Sequence, residues 1–506
     1  MLRRLWELPL LVLLMGITAL SMLLPAAHAV ILRDHPTGRA FFYAAIILFI
    51  LTAMIGLATV NRRARNPARA NLVALVAAYA VLPVMMAIPF VQAIPDTSLV
   101  NAWFEMVSSF TTTGMTIYEP ARLPASLHLW RAQVGWMGGF FILVAAVAIL
   151  APMTLGGIEV LSGRVPGRGA EGLSQITATA DPARRVAQQA AVILPVYAGV
   201  TIALWVALLM AGEPNFPALI HAMSTVSTSG ISPGDGLAAS GHNFWGEFAI
   251  FLVLFAGITR RLWPGSLVQG SDGTLPRDPE LRLALVLLFV VPLLLFLRHW
   301  LAATEGGVDE GTLISALHAL WGAVFTTLSF LTTTGFTSAD WTAAQNWSGL
   351  ETPGLILAGL AIFGGGIATT AGGVKLLRVY ALFRHGQREL EKLIHPNSVG
   401  GAGQTARRLR REGAYLAWIF FMLFALSIAV AVAALALAGI DFEPALILTL
   451  GALTTTGPLT EVAGAAPIAL APLSMAAKGI IALTMVVGRL ELLAILVLLT
   501  PDGWRR

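Results

Sequence analysis

The chain has 506 residues, of which 57% are hydrophobic and only 12% charged, with a formal net charge of +5. An ordinary soluble domain carries about a quarter of its residues charged, so lipid rather than water must solvate most of this chain. It contains no cysteine, which excludes disulfides, thiol catalysis and Cys-ligated metal. The nine His are scattered without the His-x-x-Glu-His type of metal spacing.

Long apolar runs recur along the chain, the first two of them uncharged and long enough to cross about 30 Å of hydrocarbon at about 1.5 Å per residue, and the last interrupted only by Lys478. They lie at Leu8–Leu32, Phe41–Val60, Leu72–Ile94, Val134–Leu155, Val186–Gly212, Phe248–Ile258, Leu283–Leu297, Thr352–Gly373, Gly413–Ile440 and Ile468–Gly488. Barrel strands are about ten residues of alternating polarity, whereas these runs are longer and apolar all round, so the expected class is an all-α polytopic membrane protein. The first run is read as a retained helix rather than a cleaved leader, because it continues apolar through Val30–Leu32.

Basic residues cluster in alternate connections: Arg62, Arg63, Arg65 and Arg69; Arg164, Arg168, Arg184 and Arg185; Arg260, Arg261, Arg277 and Arg282; and the stretch Lys375–Arg411. By the positive-inside rule these connections and both termini are expected in the cytoplasm, so the basic excess reports topology and not nucleic-acid binding. The intervening connections carry Asp96, Glu105, Glu119, Glu213, Asp235, Glu305, Asp309, Glu310, Asp340, Asp441, Glu443 and Glu461. These acids are expected to face outward, either gathering cations at a pore mouth or simply solvated.

A repeat sits in those outward connections. Residues 108–116, 224–232, 329–337 and 451–459 align on Gly114, Gly230, Gly335 and Gly457, which are 116, 105 and 122 residues apart. Each glycine follows three hydroxyl residues, and Ala stands twelve positions earlier at Ala102, Ala218, Ala323 and Ala445. Near-equal spacing marks four units, each a crossing, a segment of about a dozen residues too short to cross, the hydroxyl–Gly stretch, and a second crossing. The short segments fit half-helices that stop midway in the membrane, where non-helical backbone is tolerated only if it lines a cavity. Thr112, Thr113 and Gly114, with Thr228, Ser229 and Gly230, Thr333, Thr334 and Gly335, and Thr455, Thr456 and Gly457, are therefore the candidate cation ligands. Their carbonyls would replace an ion's water, the glycines supplying positive φ and the β-branched residues extended backbone.

On these motifs the chain resembles the Trk/Ktr/HKT potassium transporter superfamily, in its bacterial TrkH-like branch. Matching segments are Trp130–Gly139, Gly364–Lys375 and Gly488–Glu491. The resemblance implies four helix, pore-helix, helix units around one pore, preceded by two extra transmembrane helices. The corresponding divisions are 1–69 for the extra helices, then 70–164, 165–276, 277–395 and 396–506 for the units. It further implies potassium uptake across the inner membrane, potassium being the transported ion with no organic cofactor in this chain. It also implies a homodimer bound on its cytoplasmic side to a TrkA-like ring of nucleotide-binding subunits. The fourth stretch departs from the pattern: Pro458 and Leu459 follow its glycine where the other units have a hydroxyl at the second position.

A gate is expected below the third stretch. Gly364, Gly365 and Gly366, followed by Ala368, Thr369, Thr370, Ala371, Gly372 and Gly373 and then Lys375, cannot sustain a helix when each Gly costs about 1 kcal/mol relative to Ala. Arg489, set among apolar neighbours, needs a partner or a watery path and is expected to project toward that loop. Gly167–Gly172 spells Gly-x-Gly-x-x-Gly but follows a crossing and lies in no βαβ unit, so it reads as a cytoplasmic loop and nucleotide control is left to the partner. Two other function classes fit the sequence less well. An intramembrane enzyme lacks a Ser/His/Asp set in the apolar region, His221 and His318 reading as packed side chains. A secondary transporter predicts inverted repeats, whereas every unit here begins after a basic connection. Sodium coupling or poor selectivity remains the alternative within the cation-transport reading.

Overall fold

The computed structural model describes residues 9–59, 67–153, 155–157, 182–234, 236–237, 244–264, 278–304, 313–350, 353–395 and 411–499. Among them there are helices and no strands, and eight of the helices are long and apolar enough to cross a membrane. Arg62, Arg63, Arg65, Arg164, Arg168, Arg277, Gly167–Gly172, residues 396–410 and both terminal Arg pairs lie outside the described residues.

Three helices come first: α1 (Leu10–Ser21), α2 (Leu23–Ile31) and α3 (His35–Thr59). The first two form one span, Leu10–Ile31, packed against α3. Unit one follows as α4 (Pro67–Ala93), α5 (Leu99–Phe110) and α6 (Ala125–Ala145). Unit two is α7 (Pro182–Met210), α8 (Asn215–Ser227) and α9 (Phe244–Leu254). Unit three has α10 (Pro279–Thr304), α11 (Leu313–Leu331), a short α12 (Trp341–Ser348), α13 (Gly354–Phe363) and α14 (Leu376–Ile394). Unit four has α15 (Arg411–Leu437), α16 (Phe442–Leu453), a single-turn α17 (Leu459–Val462), α18 (Met475–Leu490) and α19 (Leu492–Leu499). The second crossings of units three and four are thus broken, between Phe363 and Leu376 and at Glu491.

Packing closes the units into a ring. In each, the first crossing lies against its own short helix: α4 on α5, α7 on α8, α10 on α11 and α15 on α16. The second crossing then lies against the short helix of the next unit, α6 on α8, α9 on α11, α13 on α16, and finally α18 back on α5. The inner ends of the short helices are buried throughout, whereas Leu57, Met210, Leu294 and Leu437 on the long crossings stand 61–91% exposed. Apolar side chains facing outward on these long helices are what a lipid-solvated ring requires, whereas α6 is covered by protein along its whole length.

Two expectations are corrected here. The third short segment is a 19-residue helix and not a dozen residues, because Leu313–Leu317 extends the half-helix outward by more than a turn. Glu105 and Glu213 are neither a solvated surface nor a mouth attracting ions: they are 0% and 5% exposed, and each is consumed by a buried partner.

Close approach at the ring's centre depends on glycine. A Cβ on Gly138 of α6 would overlap the carbonyl of Phe110, the last residue of α5, and one on Gly488 of α18 would overlap the carbonyl of Leu453, the equivalent residue of α16. Gly199, on α7, has nothing within 4 Å of its Cβ position. Gly138→Ala should therefore cost about 1–3 kcal/mol through overpacking. Its thermal midpoint in detergent should fall by several degrees, while Gly199→Ala leaves the midpoint at or above wild type; equal midpoints would refute the close packing.

Candidate functional site

The three hydroxyl residues before each glycine do three different things. The first (Thr111, Ser227, Thr332, Thr454) donates its side-chain hydroxyl to the carbonyl four residues back, at 2.8, 2.8, 3.0 and 2.7 Å. It also pairs with the hydroxyl two residues on, Thr113, Ser229, Thr334 or Thr456, at 2.8, 3.0, 3.1 and 3.1 Å. The second (Thr112, Thr228, Thr333, Thr455) is left-handed in all four units, with φ of 55°, 53°, 57° and 55°. The third closes the helix end: Thr113, Ser229, Thr334 and Thr456 donate their N–H to the carbonyls of Ser108, Ser224, Ser329 and Gly451 at 2.9, 2.9, 2.9 and 2.8 Å. This is a Schellman ending in which Thr occupies the position that Gly usually takes. The expectation of extended backbone at the β-branched residues is therefore wrong at the second position, where the helix ending dictates φ and the residue accepts about 1–2 kcal/mol of strain.

The four stretches meet. A Cβ on Gly114 would overlap Ser229 O, one on Gly230 would overlap Thr334 O, and one on Gly335 would lie 2.8 Å from Pro458 Cγ. The ring is completed by Gly457, whose N–H donates to Thr113 O at 2.6 Å. Gly114, Gly230 and Gly335 are left-handed at φ of 79°, 65° and 85°, and Gly457 is not.

Buried carboxylates brace the chain just beyond these stretches, a role that sequence reading missed. Glu105 of α5 forms an ion pair with Arg131, Oε1 to Nε 2.6 Å, and its Oε2 accepts the N–H of Ile117 at 3.1 Å. Glu213 sits 2.5 Å from His221 Nδ1, and His221 Nε2 lies 3.0 Å from Ser232 Oγ, two residues past Gly230. Glu247 of α9 reaches into the next unit, where it accepts Trp321 Nε1 at 2.8 Å, Ser338 Oγ at 2.7 Å and the N–H of Ala339 at 2.7 Å. The signal available in sequence was a single acid near each repeat, which spacing alone does not separate from a surface charge. His221 is buried, while His318 is half exposed and 2.9 Å from Asp340.

On the inner side, the segment between α13 and α14 lies directly against the stretches. The N–H of Gly372 donates to Thr333 Oγ1 at 2.7 Å, and a Cβ on Gly372 would overlap Thr454 O and Thr455 Oγ1. Gly257 O accepts the N–H of Gly366 at 3.0 Å and Thr369 Oγ1 at 3.1 Å, and Glu280 Oε1 accepts the N–H of Ile367 at 2.8 Å. Gly364, Ala368, Gly373 and Lys375 are all left-handed, with φ of 70°, 51°, 76° and 85°, and Lys375 Nζ bonds Ala371 O. Gly365 and Ala371 meet across the turn: a Cβ on Gly365 would overlap Ala371 Cβ. Arg489, 4% exposed, donates Nη1–H to Thr370 O at 2.6 Å, with Tyr79 of unit one beside its guanidinium. Glu491, where the helix breaks at φ 65°, accepts Arg378 Nη2 at 2.7 Å. A narrow cavity is lined by Ile142, Ala146, Leu150, Ala371, Gly372, Lys375 and Arg489. Among the described residues no group of three or more His, Cys, Asp or Glu is placed to hold a metal.

Comparison with known proteins gives the same architecture. The TrkH protein of the Trk potassium uptake system of Salmonella typhimurium is 31% identical over 493 residues, 96% of each chain. Its counterpart in Escherichia coli K12 is 30% identical over 491 residues, again 96% of each. The potassium uptake protein TrkI of Halomonas elongata is 31% identical over 440 residues, covering 83% of this chain and 80% of that one. The crystal structure of the potassium transporter TrkH from Vibrio parahaemolyticus matches with a TM-score of 0.77 at 28% identity, over 100% of both chains. Since the model of the TrkH family, described as cation transport proteins, matches residues 37–503, this all-helical, multi-pass chain belongs to that family and is not an enzyme.

Proposed function

We propose that the chain takes up potassium across the inner membrane through one pore, whose selectivity filter is the ring formed by residues 112–114, 228–230, 333–335 and 455–457. The observation that carries the reading is that ring itself. Left-handed residues two apart turn successive peptide planes the same way, so carbonyls that alternate in a strand face one side and can replace an ion's water. The −1 hydroxyls are tied back to the scaffold, which leaves the backbone to face the axis. Four helix C-termini directed at this point add negative dipole ends, which favour a cation. Relatives named for potassium uptake support potassium as the ion. With one glycine per strand, the pore has fewer ion sites than a filter with two glycines per strand and selects less sharply. A poorly selective or sodium-coupled transporter is the second reading, favoured by the missing left-handed glycine at Gly457.

The gate in this proposal is the segment Gly364–Lys375. It lies under the filter with four left-handed residues, and Arg489 holds it through Thr370 O. A guanidinium there repels cations while the loop is in place and leaves the path open when the loop withdraws. The partner reading is a homodimer carrying a cytoplasmic TrkA-like nucleotide-binding ring, with Lys375–Arg411 as the docking segment. Phe383, Leu390 and Leu393 on α14 are 62%, 61% and 79% exposed, apolar surface suited to a protein partner.

Three measurements test these assignments. Gly335→Ser should lower the potassium-to-sodium permeability ratio about tenfold, equivalent to about 1.4 kcal/mol of differential binding; purified protein in a bilayer, with potassium, sodium and pH gradients imposed one at a time, gives that ratio and separates a channel from symport. An unchanged ratio removes the filter assignment. Shortening the 364–373 loop, or Arg489→Ala, should raise basal flux with the ratio intact, and wild-type flux in both, at normal membrane levels, would place the constriction elsewhere. Deleting Glu389–Gln404 should abolish capture of the ring in a pull-down, and retained capture would move the docking surface.

A further inference from the structure

Unit four ends differently from the other three, and we propose that Pro458 is a specificity-setting residue of the filter, standing where the carbonyl of Gly457 would otherwise complete the outermost level. The proposal rests on the filter reading above. After their glycines, units one to three carry Met115–Thr116, Ile231–Ser232 and Phe336–Thr337. Unit four instead turns back at once. Leu459 N–H donates to Thr456 O at 3.2 Å, Thr460 N–H to Gly457 O at 3.0 Å and Glu461 N–H to Pro458 O at 3.0 Å, which starts α17. Thr460 Oγ1 adds a second bond to Gly457 O at 2.9 Å. A carbonyl oxygen has two lone pairs, so the Gly457 carbonyl is fully used within its own unit and has none left for an ion.

Pro458 fills the side that this turn vacates. Its Cγ and Cδ lie 2.8 and 2.9 Å from a Cβ position on Gly335, and its Cγ lies 3.0 Å from one on Gly230. The pyrrolidine ring therefore touches two other filter strands at their glycines. Proline suits the place: it has no N–H to leave unpaired, and its fixed φ, here −59°, favours the turn. At the outermost level a monovalent cation then meets carbonyls of three units and a rigid apolar wall. Discrimination between cations at that level comes from the width the wall enforces, not from a fourth ligand.

The test compares side chains of different bulk in the full-length protein, reading potassium-to-sodium permeability ratios in bilayers. Pro458→Ala removes most of the wall and should lower the ratio about fivefold or more, whereas Pro458→Val, which keeps the bulk, should stay within about twofold of wild type. Gly114→Ser, on the filter strand of unit one, serves as the control. A wild-type ratio in Pro458→Ala with a lowered ratio in Gly114→Ser overturns the proposal and leaves the filter reading standing. Wild-type ratios in both remove the filter reading itself. Equal falls in Pro458→Ala and Pro458→Val also overturn the proposal, since bulk would not be the discriminating property. Should Pro458→Ala fail to reach the membrane, Pro458→Ser, which removes the same bulk while placing a residue suited to a helix start before α17, is expected to lower the ratio; a wild-type value there overturns it.

Discussion

A peptide group with no hydrogen-bond partner in hydrocarbon costs several kcal/mol, and this chain stops four helices in the middle of the membrane. The rest of the structure follows from how those four ends are satisfied. The last carbonyls of α5, α8, α11 and α16 receive a hydroxyl from four residues on and a backbone N–H from five residues on, the same two bonds in every unit. That ending forces a left-handed residue at a threonine, and the hydrogen bonds it completes outweigh the strain. Once the turn is made, the four hydroxyl–Gly stretches meet at one centre. The same economy that ends a helix without an orphaned group thus brings the four stretches into one ring.

The ring stays narrow because it is held from both sides. Beyond the glycines, Glu105, the Glu213–His221 pair and Glu247 fasten the outgoing chain. These carboxylates are charge-paired or surrounded by donors, so they act as fixed struts rather than as a field for passing ions. Removing one partner of a buried pair such as Glu105–Arg131 leaves an uncompensated charge, far more costly than losing the exposed Arg122–Asp96 bridge. Below, the glycine-rich segment is bonded to Gly257 of unit two, Thr333 of unit three and Arg489 of unit four, so it cannot leave without breaking its bond to the third hydroxyl–Gly stretch.

Much of this was legible in the sequence, for identifiable reasons. Apolar runs report their solvent directly, and the fourfold hydroxyl–Gly pattern survives because each position has one geometric task. The glycine-rich break and the lone Arg489 were readable because both are expensive in a membrane helix. Less legible was anything set by partners distant in sequence. Glu247 looks like an ordinary acid near a helix start until Ser338 and Trp321 arrive from the next unit. The left-handed threonines contradict the local preference of a β-branched residue and are imposed by the helix ending. Gly457 looks like its three counterparts, and only the turn formed by Pro458–Thr460 makes it different.

Lys478 of α18 carries a consequence for the order of events during synthesis. Its ammonium donates to Asn101 Oδ1 and to Ala471 O, both at 3.0 Å, joining residues 377 positions apart across the seam between units four and one. Ribosomes add about 5–20 residues per second, so α5 is made roughly 20–75 s before the helix that seals its flank. During that interval the first half-helix stands in the membrane with one side uncovered. The ring is therefore a structure of the finished chain: no single unit encloses the pore, and the last crossing inserted acts as its keystone.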